Sequence, residues 1–173
     1  MNNFFKITAA VALVLTIATC SFETHAQAFD ADYDLKIFAG YLNKGGKSGV
    51  QLGIEYGRSR FFSLGCFLQS IFNVKDEDGE KTEFMENANM EIRCNFHWTD
   101  ILHLPSNFDI YTGVNTSIRS VGLQGGVRYN FSERFGLYVE AQQPLFKVLS
   151  IEDFDNRYYN KKFGFSAGFT INL

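Results

Sequence analysis

The stretch LKIFAGYLNKGGKSGVQLGIEY, Leu35–Tyr56, reads as two strands folded about a glycine pair. In its second half Val50, Leu52, Ile54 and Tyr56 share one face, while Gln51, Gly53, Glu55 and Gly57 share the other. Alternation with a period of two residues is the mark of a strand whose faces meet different surroundings. Residues paired across an antiparallel hairpin lie on one face, so a sound register must match like with like. Centred on Gly45-Gly46, the hairpin sets Tyr41 opposite Val50, Ala39 opposite Leu52, Ile37 opposite Ile54 and Leu35 opposite Tyr56, all apolar. The other face brings Lys36 opposite Glu55.

The pattern repeats outward from that hairpin. Val121, Leu123, Val127, Tyr129 and Phe131 oppose Gly122, Gln124, Gly126, Arg128 and Asn130; Phe163 to Leu173 alternates in the same way. Eight strands are predicted, over 33–43, 48–57, 61–74, 83–98, 107–117, 120–131, 135–146 and 160–173. Each matches or exceeds the roughly 9–11 residues a tilted strand needs to cross a bilayer, and the even number suits a closed antiparallel barrel. A hairpin centred near Glu80 pairs Phe62 with Trp98, Leu64 with Phe96 and Leu68 with Ile92. Its other face sets Gln69 opposite Glu91 and Phe67 opposite Arg93. A third hairpin pairs Val114 with Leu123 and Ile110 with Val127, and brings Asp109 opposite Arg128. Opposite charges meet in two hairpins although charge played no part in choosing the registers.

The expected fold is therefore all-β, an eight-stranded antiparallel transmembrane β-barrel of up-and-down meander topology. A soluble lipocalin-like periplasmic barrel, with its apolar face inward around an apolar ligand, would show the same alternation. The polar face, rich in Gly and Gln and poor in Lys, favours lipid outside. So do aromatic residues near both strand ends, which suit the interfacial girdles of membrane barrels. Tyr56, Phe62, Phe96, Trp98, Phe108, Tyr129, Phe131 and Phe135 would ring the periplasmic edge; Tyr41, Phe72, Phe84, Phe146 and Phe163 would ring the outer one. The 19 Phe, 8 Tyr and 15 Gly against 2 Pro supply such girdles and tight curvature.

Sealed within an eight-stranded wall, which leaves room only for side chains, Lys36, Glu55, Glu91, Arg93, Asp109, Arg128 and Glu140 should form an ion-pair and hydrogen-bond network. Three positive charges against four negative is close to the balance a low-dielectric interior requires. A narrow polar path for ions or protons is the functional alternative.

The N-terminus reads as a secretory signal peptide, residues 1–28: Lys6, then an apolar run over Ile7–Ala18 too short for a membrane helix, then Ala26-Gln27-Ala28 with small residues at −3 and −1. Cleavage after Ala28 leaves one domain, 29–173. Lipid modification of Cys20 is the competing reading. The net charge of −3 points to no nucleic-acid partner.

Gly125–Ala141, GGVRYNFSERFGLYVEA, resembles the penultimate hairpin of small Gram-negative outer-membrane β-barrel domains, of the OmpA-transmembrane-like or OmpX-like kind. Gly164–Leu173 resembles their closing strand, although those families usually end in Phe and this chain ends in Leu173. The resemblance implies an outer-membrane location and a monomer. It also implies contact with outer-membrane lipid and lipopolysaccharide, and with the barrel-assembly machinery during biogenesis. It implies no particular activity.

Candidate chemistry is sparse. His97 faces inward and His103 lies in the 99–106 turn, and no cluster with metal-ligand spacing accompanies them. No cofactor motif and no catalytic residue stands out. A lipid-modifying enzyme using Ser and His at the outer leaflet is a third reading, although both histidines fall at the opposite edge. Cys66 and Cys94 come directly opposite on the apolar face, so a cross-strand disulfide is open beside two free thiols. Among the loops, the acidic Lys75–Lys81 invites a cation, and Ile151–Lys162, with Phe154, Tyr158 and Tyr159, a surface contact.

Overall fold

Gly45 and Gly46 both take positive φ, 60° and 84°. A tight two-residue hairpin turn needs two such left-handed positions, which glycine adopts without a steric penalty. The turn locks β1 (Leu35–Lys44) against β2 (Lys47–Ser59) with the pairs expected from the sequence, from Tyr41–Val50 to Leu35–Tyr56. Then follow β3 (Phe62–Ile71), β4 (Ala88–His97), β5 (Phe108–Ser117), β6 (Ser120–Asn130), β7 (Phe135–Lys147) and β8 (Gly164–Asn172). Each strand pairs antiparallel with the next and β8 returns to β1, closing an eight-stranded barrel. This is a computed structural model, and it describes residues 27–29, 34–72, 87–148, 159 and 161–173.

β5 and β6 also keep the expected register, with Asp109 opposite Arg128 and Val114 opposite Leu123. The β3–β4 pair does not. Phe62 faces Phe96, Leu64 faces Cys94, Phe67 faces Glu91 and Gln69 faces Asn89. The ladder is displaced by two residues from the register centred near Glu80. A two-residue slip returns every side chain to its own face, so alternation could not detect it. The connection that would have decided the register was too long to constrain it. Cys66 consequently lies opposite Ile92 rather than Cys94, and both cysteines are free thiols.

Proline lacks the N–H a central strand must donate. Pro144 is accommodated by a β-bulge in β7: Val121 faces Phe146, Gly122 faces Pro144, and Leu145 is the extra residue between them.

The wall is inverted relative to a water-soluble protein. Leu52, Ile54, Leu64, Met90, Ile92, Val114 and Phe169 are each more than half exposed. Lys36, Lys44, Glu55, Glu91, Arg93, Asp109, Arg128 and Glu140 are buried inside. The inward apolar lining of a lipocalin-like barrel is not what these strands present. At the rim bearing Phe62, Phe96 and Trp98, these rings pack edge to face at 5.1 and 4.8 Å. At the opposite rim Tyr41, Phe72, Phe146 and Phe163 stand exposed. Phe84 and the loop stretches Lys75–Lys81 and 151–158 lie outside the described residues.

Inward glycines make room for large side chains. A Cβ on Gly53 would sit 2.2 Å from the Phe67 ring, and one on Gly126 2.7 Å from the Tyr111 ring. Glycine recurs on the polar face because the lumen is full.

Candidate functional site

The interior is one column of polar groups that runs from rim to rim. Its centre is Arg93 on β4, whose planar fork suits several oxygen acceptors at once. Nη1 donates to both carboxylate oxygens of Glu140 at 3.0 Å, and Nη2 donates to Glu91 at 3.1 Å and to the Gln51 carbonyl oxygen at 2.9 Å. The guanidinium lies 3.6 Å over the Phe67 ring. Glu140 accepts further from Gln142 at 2.9 Å and from the Tyr111 hydroxyl at 3.0 Å. Thus neither carboxylate nor guanidinium is left bare in a place without bulk water.

Toward the rim that carries Gly45-Gly46, Lys44 Nζ donates to Gln142 at 3.2 Å and stands 3.6 Å from Glu91. Tyr159 closes that end. Its ring is packed with Leu42 and Ile71, lies 4.9 Å from the Lys44 ammonium, and its hydroxyl donates to the Asn87 carbonyl at 2.8 Å. Burial raises the Tyr159 phenol above its ordinary value, so it remains a donor.

Toward the other rim, Arg128 donates to Glu55 at 2.7 Å, and Asn95 holds the second Glu55 oxygen at 2.7 Å. The guanidinium is flanked by the Phe38 and Tyr111 rings, at 4.9 and 5.2 Å. Below it Lys36 pairs with Asp34 and donates to Asn172 at 3.0 Å.

At this mouth His97, Ser63 and Asp109 form a relay. His97 Nδ1 lies 2.8 Å from Asp109 and Nε2 lies 2.8 Å from the Ser63 hydroxyl. A carboxylate can only accept, so Nδ1–H donates to it, and in the neutral imidazole Nε2 then accepts from Ser63. Asp109 is held in turn by the Thr99 hydroxyl at 2.7 Å. This is the ordering of an activated serine nucleophile. All three side chains are buried, and the Phe29 ring lies flat on the imidazole, with centroids 3.6 Å apart.

All seven residues expected inside are there, and they do form ion pairs: Arg93 with Glu91 and Glu140, and Arg128 with Glu55. The pairings differ from simple opposition along the ladder. Lys36 is opposite Glu55 yet its salt bridge is to Asp34; Asp109 is opposite Arg128 yet binds His97. Backbone register sets the face and height of a residue, whereas long side chains choose partners across the lumen. Lys44 is buried inside as well and shares the face of Lys36, but the strand predicted over 33–43 stops one residue short of it, where β1 runs on to Lys44. Ser63 shares the parity of inward Phe67. Its meeting with His97 and Asp109 has no local signal, since the three come from β3, β4 and β5.

Among the described residues no group of three or more His, Cys, Asp or Glu is arranged to hold a metal. One family model matches the chain, described as a family of unknown function (DUF6646), over residues 19–173. No curated protein and no solved structure matches it.

Proposed function

The chain belongs to the DUF6646 family of unknown function, so its role must be read from its own barrel; we propose that it is an integral outer-membrane protein with a structural or surface-interaction role and no catalytic task. One observation carries the proposal. Apolar side chains cover the outside of the wall while four cations and four carboxylates of the strands are sealed within it. Water would penalise that exterior and hydrocarbon would not. The lumen supports packing rather than passage, because Arg93, Arg128, Tyr111, Tyr138, Phe38 and Phe67 fill it side by side. Lipid, including lipopolysaccharide, is the expected neighbour, assembly follows the route of other outer-membrane barrels, and the exposed loops would carry any recognition. Fractionation tests the reading. Recovery in the detergent-extracted outer-membrane fraction, with heat-modifiable gel migration, is expected; a protein that stays folded and soluble without detergent would overturn it.

The Ser63–His97–Asp109 geometry favours a second reading, a serine hydrolase that acts when the mouth opens. Its test is labelling of Ser63 by a fluorophosphonate. Labelling that disappears in Ser63→Ala would establish it, and an unlabelled protein after removal of Gln27–Phe29 would dismiss it.

A further inference from the structure

Gln27–Phe29 does not trail away from the barrel. The Ala28 amide donates to the Ser106 carbonyl at 2.7 Å, and its own carbonyl accepts from Arg128 Nη1 at 3.2 Å. The Gln27 carbonyl accepts from Asn130 at 2.7 Å and from Asn172 at 3.4 Å. Phe29 stacks on His97 with an interplanar angle of 7°. These partners come from β4, the β4–β5 turn, β6 and β8, so three consecutive residues tie together most of the circumference of one mouth. Ala28 is completely buried, as are Arg128 and Asn130 beneath it, whereas Gln27 is exposed at the rim.

Two cuts satisfy a signal peptidase here. One follows Ala28, with Ala26 at −3; the other follows Ala26, with Thr24 at −3. They leave very different proteins. Cutting after Ala28 removes both carbonyls and strips the buried Arg128 and Asn130 of those acceptors. It also creates a new ammonium on half-buried Phe29, at the position where Arg128 already brings positive charge. A buried donor without its acceptor and a poorly solvated like-charge pair both destabilise. Cutting after Ala26 keeps every contact and places the new ammonium on exposed Gln27, in water.

Resting on the reading of the chain as an exported precursor, we propose that processing occurs between Ala26 and Gln27, and that Gln27–Phe29 remains as a strap closing the mouth over Ser63, His97 and Asp109. The strap replaces the cleavage after Ala28 expected from the small-residue pattern alone. Its residues also explain why the relay stays covered in the assembled barrel.

Intact-mass and N-terminal peptide measurement of the full mature protein, purified from outer membranes, tests the cut. A chain beginning at Gln27 is expected, with or without loss of ammonia through cyclisation of that glutamine. A chain beginning at Phe29, or at a lipid-modified Cys20, overturns the proposed cut while leaving export standing. An uncut chain beginning at Met1 and remaining in the cytoplasm overturns the export reading itself. The strap has its own readout. Deleting Gln27–Phe29 behind an unchanged Ala26 should lower the midpoint of the heat-modifiable gel shift by several degrees, and Phe29→Ala by less. An unchanged midpoint in both variants overturns the strap.

Discussion

Arg128 shows how much one interior residue holds. It satisfies Glu55 and the Ala28 carbonyl and is sandwiched by two aromatic rings. Arg128→Met keeps comparable bulk but leaves Glu55 as a buried carboxylate without its cation, which typically costs about 3–5 kcal/mol. The thermal midpoint in detergent should fall accordingly, and Glu55→Gln in the same chain should restore much of the loss. An unaltered midpoint in Arg128→Met would refute a structural role for the pair. Gly53 offers the complementary test, because its missing Cβ is occupied by the Phe67 ring. Gly53→Val should destabilise by about 1–3 kcal/mol through overpacking. The penalty should shrink in a Phe67→Ala background, where the ring is gone, and a double-mutant cycle measures that coupling.

Among the elements, the hairpins differ in how tightly sequence constrains them. Gly45 and Gly46 fix the β1–β2 register because a two-residue turn admits no slack. β3 and β4 are joined by a long connection, and parity is preserved by the two-residue displacement that separates expectation from structure. Cross-linking distinguishes the registers. With Leu64 directly opposite Cys94, a Leu64→Cys change in a Cys66→Ser chain should oxidise to an intramolecular disulfide. The native Cys66 and Cys94 are diagonal neighbours, roughly 7–8 Å apart by ordinary sheet geometry, beyond comfortable reach of a disulfide. Both should alkylate without reductant. A spontaneous Cys66–Cys94 bond would restore the register centred near Glu80.

For the whole molecule, the decisive property is the reversal of inside and outside. The strands bury four cations and four carboxylates in close balance, and the outward face offers water mainly apolar side chains between its aromatic rims, with Thr112, Thr116 and Gln143 among the exposed polar ones. Transfer into detergent-free buffer should therefore collapse the barrel's β-rich circular dichroism into aggregate, and detergent micelles or vesicles should preserve it. Soluble, monomeric, β-rich protein in plain buffer would refute the membrane reading at this scale. Much of the architecture is legible in the sequence: the eight strands, their two faces, the β1–β2 and β5–β6 registers and the seven inward charges. The rest is not, for a definite reason. The partner of Lys36, the meeting of Ser63, His97 and Asp109, and the seating of Ala28 against Arg128 all join residues remote in sequence across a lumen.

Alternation by itself determined that this chain makes strands with one apolar and one charged face, because side chains of a strand point to opposite sides in strict turn. Tertiary structure alone decided who meets whom. Closure of the barrel brings β2 within reach of β6, and β4 within reach of β7, so the buried charges select partners by lumen geometry. The same closure draws Gln27–Phe29 into the mouth, where buried donors require carbonyls that no local pattern announces.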